Sequence, residues 1–183
     1  AGSWFLDSDP FDQIRTGMVT FPEMEKFQET RIPTLEELLL LLKDKNFRIN
    51  LEIKEPPVPS DGTRIVEETV TLIEQLNADC SLISISSFNH GYIETVQKLN
   101  PKIEVNALIG GRLGGRNNWG NYKFPVYNAN VRSFDKKQFE KARKKGCSIN
   151  LYTVNDPEDM KRFIDWGVAG IITDFPQTLA PLL

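Results

Sequence analysis

The sequence predicts an α/β fold built on a parallel sheet. Six short stretches rich in Ile, Val, Leu and Ser alternate with stretches of helical spacing, and such alternation is typical of parallel strands joined by helices. Strands are predicted over residues 48–54, 81–87, 103–109, 126–131, 148–154 and 170–173. A complete (β/α)8 barrel has eight units. Six strands therefore fit either an open doubly wound sheet or an incomplete barrel, and the alternation alone slightly favours the open sheet.

The chain divides into an irregular start and a regular remainder. Residues 1–32 show no sustained period and are predicted to form a loop insertion, with aromatic residues among polar ones. Residues 33–183 hold the βα units. They open on Thr34 and Glu37, whose spacing predicts a capping box at a helix start. Further helices are predicted over residues 63–76, 92–99, 136–145 and 157–166.

Composition excludes several classes of protein. Hydrophobic residues make up 40% of the chain, enough for one core, and the net charge of -3 indicates no basic field for nucleic acid. The longest apolar run, 38–42, is too short to span a membrane, and no signal peptide is visible at the N-terminus. Two cysteines, Cys80 and Cys147, form neither a disulfide framework nor a metal cluster, and we expect both to pack at strand starts.

The stretch Asn50-Leu51-Glu52-Ile53-Lys54 is the first candidate for chemistry. Alternate residues of a strand share a face, so Glu52 and Lys54 point one way and the apolar residues the other. Active sites of barrels form at the C-terminal ends of strands. There, Glu52 could bind a hard divalent cation and Lys54 could neutralise a phosphate. An internal ion pair that only fills space explains the same residues, so both interpretations stay open.

Two further strand ends carry polar residues. Tyr152 ends the fifth predicted strand and could wall a substrate pocket, although a core role is equally open. Asn155 or Asp156 is predicted to cap the helix that follows. Asp174 ends the sixth strand, where it is most simply an acceptor for a backbone turn. His90, the single histidine, is predicted in an exposed loop without a ligand role.

Five segments together resemble the glycerophosphodiester phosphodiesterase family. In chain order they read IPTLEE, NLEIK, SSF, YTVN and GVAGIITDFP, and they begin at residues 32, 50, 86, 152 and 167. The resemblance covers essentially the whole chain. It implies an incomplete (β/α)8 barrel, with units three to eight of the eight present, and so selects the barrel over the open sheet.

The resemblance also implies a reaction and its residues. The family hydrolyses glycerophosphodiesters to glycerol 3-phosphate and an alcohol, using Mg²⁺ or Ca²⁺. By position, Glu52 matches a metal ligand and Lys54 a phosphate contact, while Tyr152 stands where the family usually has a substrate-facing Trp. The family's two histidines, its acid and base, have no counterparts here.

These residues predict a partial site. We expect the 183 residues alone to be inactive or nearly so, although the family is enzymatic. The alternative is a non-catalytic module that binds a phosphate ligand or a partner. Missing barrel strands would leave two open sheet edges, which favour self-association.

Overall fold

The computed structural model describes residues 32–55, 62–111 and 118–183. The predicted loop insertion over 1–32 therefore lies outside the described residues, except for Ile32. Within the described ranges, no helix is both long and apolar enough to cross a membrane.

Among the described residues, six parallel strands form one sheet, and their order in the sheet follows their order in the chain. They are β1 (Ile49–Glu52), β2 (Ile83–Ser87), β3 (Glu104–Ile109), β4 (Val126–Asn130), β5 (Ser148–Tyr152) and β6 (Gly170–Ile171). In a doubly wound sheet, later strands join the opposite edge from earlier ones, whereas here each successive strand joins the same edge. The sheet is a curled half-barrel, which confirms the incomplete barrel. The slight preference for an open sheet, drawn from alternation alone, was wrong.

The described residues also form six α-helices, of which four connect successive strands, one precedes β1 and one follows β6. They are α1 (Leu35–Leu42), α2 (Gly62–Gln75), α3 (His90–Leu99), α4 (Lys136–Lys144), α5 (Pro157–Trp166) and α6 (Pro176–Leu179), with 3-10 turns at Cys80–Leu82, Gly120–Tyr122, Val131–Ser133 and Ala180–Leu182. The capping box is confirmed, because the Thr34 hydroxyl accepts the Glu37 N–H and the Glu37 carboxylate accepts the Thr34 N–H.

The core lies between the sheet's outer face and the helices. Outward residues of β2 and β5, such as Ile85 and Leu151, are fully buried, as are Val66 and Ile73 of α2 and Ile93 of α3. Alternation along each strand sends the remaining side chains to the opposite, inner face. That face borders a cavity of about 400 Å³ lined largely by polar residues, among them Asn50, Ser84, Asn106, Asn128 and Asn150.

The connection between β3 and β4 contains no α-helix within its described residues. Aromatic residues pack on the sheet there instead. Tyr127 is fully buried, its hydroxyl donates to the Trp119 carbonyl at 2.7 Å, and its oxygen accepts the Phe124 N–H at 3.2 Å. Trp119 also stacks on Tyr122, with ring centroids 5.1 Å apart. This cluster replaces the apolar face that a helix would supply.

Some predicted boundaries were wrong. β1, β5 and β6 end two residues earlier than predicted, although the Val154 N–H still donates to the Ile172 carbonyl at 3.0 Å beyond the assigned strands. Cys80 lies in a 3-10 turn rather than at a strand start, because Asp79 caps that turn by accepting the Ser81 N–H. Helix α3 begins at His90, two residues before the predicted start, since Asn89 provides its N-cap.

Candidate functional site

The C-terminal ends of the six strands meet at one edge of the half-barrel. Because all strands are parallel, the segments that follow the strands lie at this edge, the barrel mouth. An open cavity of about 840 Å³ lies there. Its described lining consists of Glu52, Ile53, Lys54, Glu55, Ser87, Phe88, Asn89, Thr153 and Asp174. Polar and charged side chains from β1, β2, β5 and β6 thus converge on one space.

The end of β1 supplies Glu52 and Lys54. Both residues are exposed and line the mouth cavity, while Ile53 between them is 5% exposed and belongs to the core. The Ile53 N–H donates to the Ser86 carbonyl at 2.8 Å, which continues the pairing with β2 past the end of β1. The backbone is therefore fixed where the two charged side chains emerge.

The end of β2 holds the adjoining wall. The Ser87 hydroxyl donates to the Ile53 carbonyl at 2.6 Å and accepts the Asn89 N–H at 3.1 Å. Asn89 then caps α3 by accepting the Gly91 N–H, and its amide nitrogen donates to the Glu55 carboxylate at 2.8 Å. These bonds hold Glu55 and Asn89 at the mouth.

Tyr152 bridges the mouth from β5 toward β3. Its hydroxyl lies 2.8 Å from the Ile109 carbonyl oxygen and 3.2 Å from that of Gly110, so it donates across β4 to the end of β3. Burial, and secondarily the Glu52 carboxylate, raises the pKa of Tyr152 to about 12. Its ring meets that of Phe88 in a T-shaped contact with centroids 6.3 Å apart. Tyr152 therefore stays protonated at neutral pH and acts as a donor.

The loops after β5 and β6 are tied to each other. The Asn155 amide nitrogen donates to the Asp174 carboxylate at 2.8 Å, and its amide oxygen accepts from the Thr173 hydroxyl and the Asp174 N–H. Asp156, not Asn155, is the N-cap of α5, because its carboxylate accepts the N–H groups of the second and third helical residues. Asn155 is thereby left to position Asp174 at the cavity wall.

His90 lies away from the mouth cavity. It is half-buried, with Nε2 3.1 Å from the Leu108 carbonyl oxygen and its ring edge-to-face with Phe124. The prediction of an exposed loop residue was wrong, because helix α3 begins at His90 and packs it against the chain around β3 and β4. His90 contributes to packing there, and it is absent from the cavity lining.

The described residues hold at most part of a metal site. No group of three or more His, Cys, Asp or Glu side chains within them could enclose an ion. Oxygen is nevertheless the donor that Mg²⁺ and Ca²⁺ prefer, and Glu52 offers a carboxylate to the cavity. Glu52 fits one position of a coordination shell that needs further ligands.

Sequence reasoning missed Glu55, Phe88 and Asn89. A usable signal was present, because Phe88 and Asn89 directly follow β2 and Glu55 lies three residues after β1, and barrel site residues occur after strand ends. The hydrogen bond between Asn89 and Glu55 joins two loops that are 34 residues apart in the chain, and no local pattern of the sequence predicts it.

The fold and the site define a class: a parallel half-barrel with a charged mouth at the C-terminal ends of its strands. A sequence model described as the glycerophosphoryl diester phosphodiesterase family matches residues 8–178. The chain therefore belongs to that family.

Particular relatives agree with this assignment. The chain is 36% identical over 185 residues to a glycerophosphodiester phosphodiesterase of Caldanaerobacter subterraneus, covering 100% of this chain and 74% of the relative. It is 27% identical to the Bacillus altitudinis enzyme of that name, covering 91% and 68%. The structure is similar to a solved glycerophosphodiester phosphodiesterase from Parabacteroides distasonis, with a TM-score of 0.69 and 26% identity, over 82% of this chain and 63% of that one.

Proposed function

We propose that the protein to which these residues belong hydrolyses glycerophosphodiesters to glycerol 3-phosphate and an alcohol, with a divalent cation. One observation carries the proposal. A carboxylate and an ammonium, Glu52 and Lys54, line one cavity at the barrel mouth of a chain that belongs to a phosphodiesterase family. The Caldanaerobacter relative, which bears the name of this activity, supports the same reaction.

The reaction adds water across one phosphoester bond. The water oxygen forms a bond to phosphorus, the bond from phosphorus to the alcohol oxygen breaks, and that oxygen takes up a proton as it leaves. A cation held in part by Glu52 would polarise the phosphoryl oxygens. Lys54 would neutralise the phosphodiester as a point charge. Tyr152 is not among the described lining residues, and it would support the cavity wall through its ring contact with Phe88.

The chemistry also needs a positioned proton donor and acceptor, and the described lining of the mouth cavity contains no histidine for either role. The single histidine of the chain is His90, and it contacts Leu108 and Phe124. A positioned acid or base contributes roughly 10²- to 10⁴-fold to rate. We therefore expect the 183 residues alone to turn over glycerophosphocholine far below roughly 1 per second, the lower end of ordinary enzymes.

Binding tests the proposal without requiring turnover. The purified chain is titrated with glycerol 3-phosphate in Mg²⁺ or Ca²⁺, and NMR shifts of the mouth residues are followed. Lys54→Gln should weaken binding, and Glu52→Gln should weaken the effect of the cation on it. Lys102→Gln and Glu67→Gln are matched controls, because both native residues are exposed and lie outside the cavity lining.

The outcomes separate the alternatives. Binding that is indifferent to Lys54→Gln and Glu52→Gln would remove these residues from the site. Normal turnover by the chain, abolished by a chelator, would contradict the expected need for further catalytic groups. Cation-independent phosphate binding without turnover under any condition would favour the non-catalytic module.

Self-association is a further part of the proposal. Within the described sheet, β1 and β6 are the two outer strands, and each pairs on one side only. Unpaired strand edges favour pairing with another chain. We expect the apparent mass in sedimentation to rise with concentration, and a constant monomer mass up to high concentration would contradict this.

A further inference from the structure

We propose that the outer face of helix α4, with the neighbouring 3-10 turn over Gly120–Tyr122, is a docking surface for an anionic lipid bilayer. The surface lies on the outside of the half-barrel, and none of its residues lines the mouth cavity. The attraction is electrostatic and peripheral, so it requires neither a membrane-spanning helix nor a bound substrate.

Positive charge is concentrated on α4 and the residue that follows it. Residues 136–145 hold six Lys and Arg residues and one acidic residue, Glu140, so this segment carries a charge of +5. The whole chain carries -3, so the other residues together carry -8. One strongly basic segment thus stands on a chain that is acidic elsewhere. Clusters of roughly four to eight Lys or Arg on a helix are typical of binding to anionic lipids.

Three lysines form a row on the solvent side of the helix. Phe139 and Ala142 are buried against the core, whereas Lys137, Lys141 and Lys144 are exposed. Their spacing of four and three residues places them on one side of α4, over roughly 10 Å of its axis. None of the ion pairs formed among the described residues involves α4. The positive charge of the row is therefore directed to solvent.

The position of α4 in the order of the elements keeps its outer face accessible. The helix connects β4 to β5, whereas the two edges of the described sheet are β1 and β6. Strands that complete a barrel would join at those edges. They would not cover the outer face of α4, so the docking surface belongs to a longer protein as much as to these residues.

An aromatic turn borders the row of lysines. Trp119 and Tyr122 stack with ring centroids 5.1 Å apart, and Nζ of Lys141 lies 5.6 Å from the centroid of the Tyr122 ring. Gly120, Asn121 and Tyr122 have positive φ angles of 48°, 58° and 60°, a conformation that is uncommon outside glycine and concentrates at functional sites. A cavity of about 440 Å³ lies between this turn and Lys141. Trp and Tyr rings beside amines are typical of the head-group level of a bilayer.

The choice of basic residue favours a bilayer over a nucleic acid. Five of the six basic residues in 136–145 are lysines, which attract anions as point charges. Recognition of nucleic acid favours the planar fork of arginine, which fixes the geometry of a phosphate or a base edge. A bilayer of anionic lipids is a diffuse negative surface, and it requires charge without fixed geometry.

Cosedimentation with vesicles tests the docking surface. The purified 183-residue chain is mixed with vesicles of phosphatidylcholine alone, or of phosphatidylcholine with phosphatidylglycerol. We expect binding to the mixed vesicles only, and loss of that binding near 1 M salt, where the screening length falls to about 3 Å. Each lysine near an anionic surface contributes about fivefold to binding. Replacing Lys137, Lys141 and Lys144 together by Gln should therefore weaken binding on the order of a hundredfold.

A second triple variant is the matched control. Lys43, Lys45 and Lys102 are exposed and lie outside α4, so their replacement by Gln removes the same net charge from other surfaces. This control should bind nearly as tightly as the native chain, because a charge more than a screening length from the bilayer, about 10 Å at 0.1 M salt, contributes little. Amide spectra that match the native chain establish that both triple variants are folded.

The remaining outcomes overturn the proposal. Failure of the native chain to bind the mixed vesicles would do so, as would an equal loss in both triple variants, which would assign the binding to net charge. Tighter binding to duplex DNA at the same phosphate concentration, lost in the α4 variant, would assign the face to nucleic acid. Self-association that the α4 variant abolishes would assign it to a second copy. Each failure leaves the proposed reaction at the mouth untouched, because no residue of that cavity is changed.

Discussion

Gly170→Ala tests how tightly the inner face of the half-barrel is packed. Gly170 begins β6 and is paired in register with Asn150 of β5. A Cβ added at Gly170 would lie 2.6 Å from Oδ1 of Asn150 and 3.2 Å from its Cγ. The first distance is shorter than any ordinary contact, so the Asn150 amide must move. That amide donates to Oδ1 of Asn128 at 2.9 Å, and Asn128 is 1% exposed.

The expected cost follows from the bond that is lost. Displacing Asn150 removes one hydrogen bond and leaves a buried amide oxygen on Asn128 unpaired, which together cost about 1–3 kcal/mol. The lower entropy of the unfolded chain with Ala offsets about 0.4–1 kcal/mol. We expect Gly170→Ala to lower the free energy of unfolding by about 1–2 kcal/mol, a large share of the stability of one domain.

Urea denaturation measures this in a double-mutant cycle. In an Asn150→Ala background the clashing amide is absent and Asn128 has already lost its donor. Gly170→Ala should then cost less than about 0.5 kcal/mol, which indicates coupling between the two positions. Gly111→Ala is the control, because a Cβ there meets nothing within 4 Å. An equal cost of Gly170→Ala in both backgrounds would refute the argument.

Two further predictions concern Tyr152 and Asp156. The pKa of Tyr152 is about 12 in the folded chain and about 10 when unfolded. Because the unfolded chain releases this proton first, the free energy of unfolding is unaffected below pH 10 and falls as pH rises from 10 through 12, by about 2–3 kcal/mol. Tyr152→Phe should be about 1 kcal/mol less stable at pH 9 through its lost hydrogen bond, and should lack that pH-dependent loss. Identical pH profiles between 9 and 12 would contradict this. Asp156→Ala should lower the melting temperature through a loss of about 1 kcal/mol at the N-cap, whereas Asp165→Ala on the same helix should have little effect.

The sequence predicted the parts of the fold that depend on local periodicity. Each strand of the sheet falls within a predicted range, and Thr34 and Glu37 form the cap that their spacing indicates. The choice between barrel and open sheet does not depend on local periodicity. It depends on which edge of the sheet each successive strand joins. The alternation of strands and helices does not determine the order of the strands in the sheet, whereas the resemblance to a barrel family predicts that order.

The site was predictable only in its first residues. Alternation predicted that Glu52 and Lys54 share a face, and both line the mouth cavity, although Lys54 lies beyond the end of β1 and the roles of both residues stay predictions. The partners of Tyr152 were not predictable, since its hydroxyl meets a carbonyl 43 residues away, across an intervening strand. The same holds for Asn155, whose amide meets Asp174 at a separation of 19 residues. Such contacts form only once the sheet is curled, so the local sequence pattern does not predict them.

The polar inner face explains how the mouth residues are held in position. Barrel interiors are usually filled by branched apolar side chains. Here Ser84 and Ser86 hydrogen-bond to Asn50, and Asn150 bonds to Asn128. Amide pairs of this kind are directional, so they fix the register of neighbouring strands more strictly than apolar packing would. Residues two positions further along project from the same face. The layer of amide hydrogen bonds therefore sets where Glu52 and Tyr152 emerge at the mouth. A substitution that displaces Asn150 should shift Tyr152 as well as lower the free energy of unfolding.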